Sequence, residues 1–195
     1  MKLKIKFFMI IVIAMMFSGC VSVKHNFDIK RVKNYSSQQI DYQLTDIDVK
    51  IASSDEKTGD LDGIYNSVVI SFKDSLSNAI DDSNLFSIAS PNEVSLKATI
   101  LKNDGPAFAA TMKIDSEILY EVKNKKNDLI YSKIIKSSAI ATPKEEFMGA
   151  VRFALAMDRA LKKNIVLFLD DISNSLGNPK TEIEPTKIQQ NDDWR

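Results

Sequence analysis

Two residues of the 195-residue chain, Cys20 and His25, carry side chains that serve in proteins as nucleophiles, metal ligands or proton carriers. Each is the only residue of its type in the sequence. A hydrolase or transferase commonly places a histidine or a coupled carboxylate beside its nucleophile, and zinc sites draw mainly on cysteine and histidine. Because the two residues lie close together near the N-terminus, away from any predicted core, we expect no catalytic residue, no metal site and no cofactor.

Paired carboxylates are the remaining candidates for acid–base or metal chemistry. They occur at Asp46 and Asp48, Asp60 and Asp62, Asp81 and Asp82, and Asp170 and Asp171. Asp46 and Asp48 share one face of a predicted strand, as a glycosidase or a metal site would require, although a solvated strand edge has the same pattern.

Asp158 lies near the apolar stripe of a predicted helix, with Lys162 four residues on. This spacing favours an ion pair over a buried acid with a raised pKa. No G-x-S-x-G, P-loop or G-x-G-x-x-G pattern occurs in the chain. The sequence therefore predicts a protein that is not an enzyme, with a carboxylate-dependent hydrolase as the alternative.

The first nineteen residues have the order of an export signal. Lys2, Lys4 and Lys6 precede an uncharged apolar run from Phe7 to Phe17, which is followed by small residues. As a helix this run would be about 17 Å long, against a hydrocarbon core of about 30 Å. We therefore predict a signal peptide at residues 1–19 rather than a permanent membrane span.

The residues before the cysteine, Phe17-Ser18-Gly19-Cys20, resemble the lipobox of bacterial lipoproteins, with phenylalanine where leucine is usual. The resemblance implies that Cys20 carries diacylglycerol and becomes the acylated N-terminus after cleavage. The alternative is ordinary secretion, with Ser18 and Cys20 as the small residues of the cleavage site. The absence of a second cysteine agrees with a lipid role, because a disulfide would need two.

The charge balance argues against nucleic acid as a partner. The chain has 26 basic and 26 acidic side chains, and loss of the three signal-peptide lysines makes the exported chain mildly acidic. Nucleic-acid-binding domains usually carry clustered basic residues and a net positive charge.

Four regions follow from composition and periodicity. After the signal peptide we predict a lipid anchor and flexible tether at residues 20–38, because the segment is polar with scattered hydrophobics. Residues 39–176 make one globular domain of ordinary size. Residues 177–195 contain two prolines and no hydrophobic period, and are predicted to be a disordered tail.

Within the domain, apolar and polar residues alternate over residues 40–52, as in a strand. The apolar residues change from even to odd positions near Thr45, which indicates a bulge. Residues 61–80 have a helical apolar stripe, with a candidate cap at Asp60. A brief strand at 85–89 and a three-strand meander over 94–141 follow, and a second helix is predicted from Thr142 to about residue 176. Its predicted core face begins at Phe147.

Helices and a sheet that each have one apolar face can bury those faces only by packing against each other. The expected fold is therefore α/β (α+β), a two-layer sandwich of a mainly antiparallel four- to five-stranded sheet with two helices packed on one face.

Two surfaces are candidate interaction sites. Arg152, Arg159 and Lys163 share one face of the second helix and would meet lipid phosphates or an acidic partner, although such a row is usually just the solvated side of a helix. The last strand of the meander is apolar on both faces, at Ile134 on one and Ile135 on the other, and would accept a partner's strand if it lies at a sheet edge.

The order of elements behind a lipobox resembles small Gram-negative envelope lipoproteins of the transport-auxiliary and LPS-assembly kinds. This resemblance implies a non-enzymatic binding or accessory role in envelope assembly or transport, with an envelope protein or lipid as partner. Because Val21-Ser22 follows the cysteine without an aspartate retention signal, it also implies sorting to the outer membrane, facing the periplasm. A lipid-anchored hydrolase is the rival function.

Overall fold

The computed structural model describes residues 25, 27, 29–106 and 108–177. It contains four strands and two long helices, which we name in chain order: β1 (Gln43–Ile51), α1 (Asn66–Ser83), β2 (Glu93–Asp104), β3 (Met112–Asn124), β4 (Leu129–Ala141) and α2 (Gly149–Leu176). The predicted signal peptide, Cys20 and the predicted tail beyond residue 177 lie outside the described residues. No helix in the described part of the chain has the length and apolarity to cross a bilayer.

The strands form one sheet in the order β1-β2-β3-β4, so β1 and β4 are its edges. β1 runs parallel to β2, and the other neighbours are antiparallel. Both helices pack on this sheet, which confirms the predicted two-layer α+β sandwich. The brief strand expected at 85–89 makes only an isolated bridge between Ile40 and Phe86.

The predicted bulge in β1 is confirmed. The pairing of β1 with β2 shifts register between Leu44 and Asp46, and the Thr45 hydroxyl donates to the carbonyl oxygen of Val94 at 3.1 Å. A strand residue that leaves the ladder reverses the parity of the side chains after it. Val49 consequently faces the core, while Asp46 and Asp48 are exposed.

Both helices begin later than the sequence predicts: α1 begins at Asn66, with Tyr65 instead of Asp60 before it, and α2 begins at Gly149. Glu145 Oε2 accepts bonds from the backbone and hydroxyl of Thr142, as in a capping box, but the turn stops there and α2 begins at Gly149. Arg152 donates to the carbonyl oxygens of Glu146 and Phe147, which a longer helix would bond internally. Phe147, predicted to face the core, is therefore outside the helix and 89% exposed.

The segment predicted as a flexible tether packs, over its described part, against both helices. Phe27 and Tyr35 are almost completely buried, at 2% and 1% exposure. The Tyr35 backbone donates to the Ser83 carbonyl of α1, and its hydroxyl donates to Asp170 of α2 at 2.6 Å. Burial and this hydrogen bond raise the pKa of the Tyr35 hydroxyl well above its usual value. The folded body therefore begins before residue 39.

The segment from Phe27 to Tyr35 has no helix or strand period, which is also typical of a flexible tether. Its apolar side chains follow an irregular spacing, at Phe27, Ile29, Val32 and Tyr35, and all four belong to or pack on the core. In an irregular segment that packs on two helices, the surface of the helices determines which side chains are buried. The buried positions therefore have no regular spacing in the sequence.

Candidate functional site

An apolar cleft lies at the end of the sheet where β2 and β4 finish and both helices begin. Its volume is about 820 Å³. Residues from the connection before α1, the β2–β3 loop and the first turns of α2 line it: His25, Gly63, Tyr65, Phe108, Ala109, Ala110, Met112, Gly149, Ala150, Arg152, Phe153, Ala154 and Met157. We call this surface the aromatic cleft.

Glycine shapes one wall of the aromatic cleft. Gly63 has φ +70°, a conformation that side chains disfavour, and a Cβ there would lie 2.8 Å from Cε1 of Phe153. A Cβ at Gly105 would similarly approach the Phe153 ring to 3.3 Å and would clash with the Ile114 side chain. The two glycines therefore let the backbone close around Phe153, which lies partly buried between them.

Arg152 holds two loops of the cleft together. Its Nη1 donates to the carbonyl oxygens of Glu146 at 2.9 Å and Phe147 at 2.7 Å, and its Nη2 donates to that of Ala109 at 3.2 Å. The residue is only 8% exposed, and its Nε has no hydrogen-bond partner among the described residues. A buried guanidinium must have acceptors to offset its lost hydration, and here the backbone of two loops supplies them.

Each of the two loops that Arg152 joins carries an exposed aromatic side chain. Phe108 is 97% exposed and Phe147 is 89% exposed. Tyr65, which lines the cleft, is 68% exposed, and Met148, between Phe147 and the cleft residue Gly149, is 46% exposed. We call these four residues the rim. Single exposed hydrophobics are common on protein surfaces, whereas several around one apolar cleft indicate an interaction surface.

His25 places the N-terminal side of the chain at the same cleft. Its Nδ1 lies 2.8 Å from Oδ1 of Asp158 in α2, and its ring stacks on Phe27 with the centroids 5.7 Å apart. Its side chain is only 18% exposed. The single histidine is therefore part of the packed body, and not of a solvated tether.

The aromatic cleft is lined mainly by apolar side chains and backbone. Among its lining residues in the described chain, the ionisable groups are His25, Tyr65 and Arg152, and there is no carboxylate. The guanidinium of Arg152 is committed to backbone carbonyls. Ligand sites of this kind are mostly apolar surfaces with few polar groups.

Carboxylates gather elsewhere in the described structure. Asp60, Asp62 and Asp104 bring one oxygen each within 4.8 Å of one another, near the cleft. The cluster is largely exposed, and Lys102 Nζ lies 3.7 Å from Asp104 Oδ2. Exposed acidic groups of this kind are common on protein surfaces without any ion.

The other paired carboxylates have separate surroundings. Asp46 and Asp81 line a groove of about 480 Å³ between β1 and α1. Asp170 and Asp171, although adjacent in sequence, accept hydrogen bonds from different tyrosines, Tyr35 and Tyr131 respectively. Burial and the bond to Asp171 raise the pKa of Tyr131 well above its usual value. These contacts tie α2 to the N-terminal segment and to β4.

The predicted cationic row does not form one surface. Arg152, expected on the solvated side of α2, is buried because it turns toward the two loop backbones. Arg159 donates to the Ile140 carbonyl at 2.8 Å and pairs with Glu145 at 2.7 Å, and Lys163 Nζ lies 3.5 Å from the Ser138 carbonyl. Arg159 and Lys163 thus bind the end of β4.

β4 is an edge strand, as a strand-accepting surface requires. Ile135 is 6% exposed and belongs to the core, whereas Ile134 is 40% exposed and pairs across the sheet with Leu119. The two isoleucines therefore belong to different faces, and only Ile134 is available on the surface.

The rim residues of the cleft are not predicted by the sequence pattern. Phe108 lies in the loop between β2 and β3, three residues after Gly105, where no periodic pattern indicates whether a side chain is buried. Phe147 fits the helical stripe by spacing, but α2 begins only at Gly149, and Arg152 binds the Phe147 carbonyl oxygen.

No protein-family model matches this chain, and no curated protein matches it. Among solved structures, it is similar to a protein of family DUF330 from Xanthomonas campestris, with 12% identity and a TM-score of 0.52 over 76% of this chain and 97% of that one. A protein from Caulobacter crescentus provisionally described as a lipoprotein has 10% identity and a TM-score of 0.43, over 67% of this chain and 89% of the other. A minor lipoprotein from Acinetobacter baumannii has 7% identity and a TM-score of 0.37, over 68% and 94%. At this identity the match to the Xanthomonas protein shows a shared fold alone.

Proposed function

We propose that this chain is an exported lipoprotein, anchored through Cys20, that acts as a non-enzymatic binding or accessory module in cell-envelope assembly or transport. The lipobox-like residues and the apolar run before them support the anchor. The absence of an aspartate after Cys20 supports an outer-membrane location facing the periplasm. The partner is an envelope protein or lipid.

The observation that carries the binding role is the aromatic cleft. It combines a volume of about 820 Å³, an apolar lining without a carboxylate and a rim of exposed aromatic side chains. Catalysis needs groups that can transfer a proton or attack a substrate. In this lining His25 is paired with Asp158 and stacked on Phe27, and the Arg152 guanidinium is bound to backbone carbonyls. A surface that buries apolar area on contact, by contrast, needs only shape and hydrophobicity.

The anchor is tested with a Cys20→Ser variant in the native host. Membrane fractionation and metabolic labelling with an alkyne fatty acid are compared with the unaltered chain. We expect the variant to lose the label and to leave the membrane fraction. A variant that still labels and still fractionates with membranes would show that Cys20 is not the lipid site.

The binding role is tested by photo-crosslinking in intact cells. A photoreactive amino acid replaces Tyr65 at the cleft rim, and the matched control replaces Leu129, which is 53% exposed at the start of β4. We expect a discrete adduct with an envelope protein or lipid from position 65 and none from position 129. Equal labelling from both positions, or none from either, would contradict a specific site at the cleft.

A further inference from the structure

Two aromatic side chains stand out from one end of the body on loops that share a clamp. Phe108 and Phe147 are almost fully exposed, and Arg152 binds the backbone at Ala109 and at Phe147 itself. We propose that these two loop tips insert into the lipid interface of the bilayer that carries the anchor, so that the aromatic cleft faces the membrane. This inference rests on the proposed lipid anchor at Cys20.

The length of the chain between the anchor and the cleft supports this orientation. His25 lines the cleft and is held there by its contact with Asp158. Only five residue steps separate it from Cys20, and a fully extended chain covers at most about 17 Å in that number. The cleft end of the body is therefore kept within reach of the lipid headgroups. Ile88 lies at the opposite end of the body, before the first residue of β2.

The side chains at the tips have the chemistry of an interfacial contact. Phenylalanine rings bury a large apolar area, and phenylalanine is among the residues that interfacial segments bury at the boundary between headgroups and acyl chains. Met148 and Tyr65 extend the same apolar rim. Because Arg152 fixes the backbone of both tips, less conformational freedom is lost when the rings enter lipid.

The charges beside the rim indicate which membrane property matters. Asp60, Asp62 and Asp104 lie near the cleft, and Glu146 lies next to Phe147. These groups do not attract anionic lipids, so the contact is driven by apolar insertion. We therefore expect it with zwitterionic phosphatidylcholine, and we expect little dependence on ionic strength.

The test places a single tryptophan at one loop tip of the natively lipidated full-length protein. Phe108→Trp is combined with Trp194→Phe, which removes the only natural tryptophan. The matched control, in the same background, is Ile88→Trp, because Ile88 is 91% exposed at the opposite end of β2. Both proteins are reconstituted in phosphatidylcholine vesicles whose acyl chains are brominated close to the headgroup.

We expect a blue-shifted emission and at least about threefold stronger quenching at position 108 than at position 88, because only an interfacial ring lies near the bromines. An added Phe147→Ser substitution, also at an exposed position, lowers the quenching at 108. Quenching at 108 that is no greater than at 88 would overturn the proposal. A second result would also overturn the proposal: tryptophan at position 108 is not quenched, and a photoreactive amino acid at the same position crosslinks to a protein in cells. The rim would then be a protein interface.

Fatty-acid labelling of the same preparations keeps the two hypotheses apart. A chain that lacks the label contradicts the proposed anchor. A labelled chain without quenching at 108 contradicts only the membrane contact of the loop tips.

Discussion

His25 Nδ1 lies 2.8 Å from Asp158 Oδ1, although the two residues are 133 positions apart in the chain. Both side chains are mostly buried, at 18% and 12% exposure. The contact fixes the start of the described chain against the middle of α2, beside the aromatic cleft. It therefore makes the N-terminal segment part of the folded body, which leads to the first prediction.

Replacing Phe27 with alanine is expected to lower the free energy of unfolding by about 3–5 kcal/mol, the usual cost of removing a buried phenylalanine. The ring is 2% exposed and packs edge-on against Phe72 of α1, with centroids 6.5 Å apart. Urea unfolding followed by circular dichroism measures the change, and Ile88→Ala, at a 91% exposed position, is the control. A loss below about 1 kcal/mol would show that the segment contributes little to the fold.

Replacing Arg152 with methionine is expected to cost about 2–3 kcal/mol, because three backbone carbonyls lose a charged donor. The two loops should also exchange their amide hydrogens faster. Hydrogen exchange read by mass spectrometry over residues 105–111 and 142–148 measures this effect.

The matched control for Arg152 is Arg159→Met. Arg159 is partly exposed and its ion pair with Glu145 lies at the surface, so a loss below about 1 kcal/mol is expected. If the two variants were equally stable and exchanged equally, Arg152 would not be the clamp of these loops.

A buried polar network between the sheet and α2 gives the third prediction. The Tyr120 hydroxyl donates to Asn164 Oδ1 at 3.0 Å, and Asn164 Nδ2 donates to the Ile135 carbonyl at 2.8 Å. Tyr120→Phe leaves the amide oxygen of Asn164 buried without its donor, at an expected cost of about 1–3 kcal/mol.

A double-mutant cycle with Asn164→Leu separates this hydrogen bond from packing. If the bond stabilises the fold, the cost of Tyr120→Phe shrinks by at least about 0.5 kcal/mol once Asn164 is gone. Purely additive losses would contradict a direct interaction, since the Tyr120 ring also stacks on Phe168 at 4.0 Å.

Glu145 gives a prediction about acid. The hydrogen bond from Arg159, followed by those from the backbone and hydroxyl of Thr142, lowers the pKa of Glu145 to about 2 from 4.5. A carboxyl whose pKa is lower in the folded state stabilises the fold above its unfolded pKa, and this contribution is lost as the pH falls from 4.5 towards 2. NMR titration of the Glu145 side chain should therefore show a midpoint well below that of an ordinary glutamate.

The control for this titration is Arg159→Met, which removes the first of these hydrogen bonds. The midpoint of Glu145 should then move upward. A midpoint of about 4.5 in the unaltered protein would contradict the contacts described for this loop.

The sequence by itself determined the fold class and the alternation of the sheet. β3 alternates with a period of two residues, and β2 does so as far as Ala98, before its pairing with β3 shifts between Ile100 and Lys102. The parity change at Thr45 located the bulge in β1, because strand faces are a local property of successive residues. The polar and apolar faces of α1 followed in the same way from a helical period. The lipobox-like residues before Cys20 stay a prediction of the sequence alone.

Only the tertiary structure determined that the N-terminal segment is buried, at which residue α2 begins and that the aromatic cleft forms. By its spacing in the sequence, Arg152 belongs to the solvated face of a helix. Its guanidinium is buried because carbonyl oxygens of nearby loops accept its hydrogen bonds. Phe27 and Tyr35 have no periodic partner in sequence, and their burial depends on two helices that are far away along the chain. Such contacts are set by the meeting of distant segments, and a local pattern does not encode them.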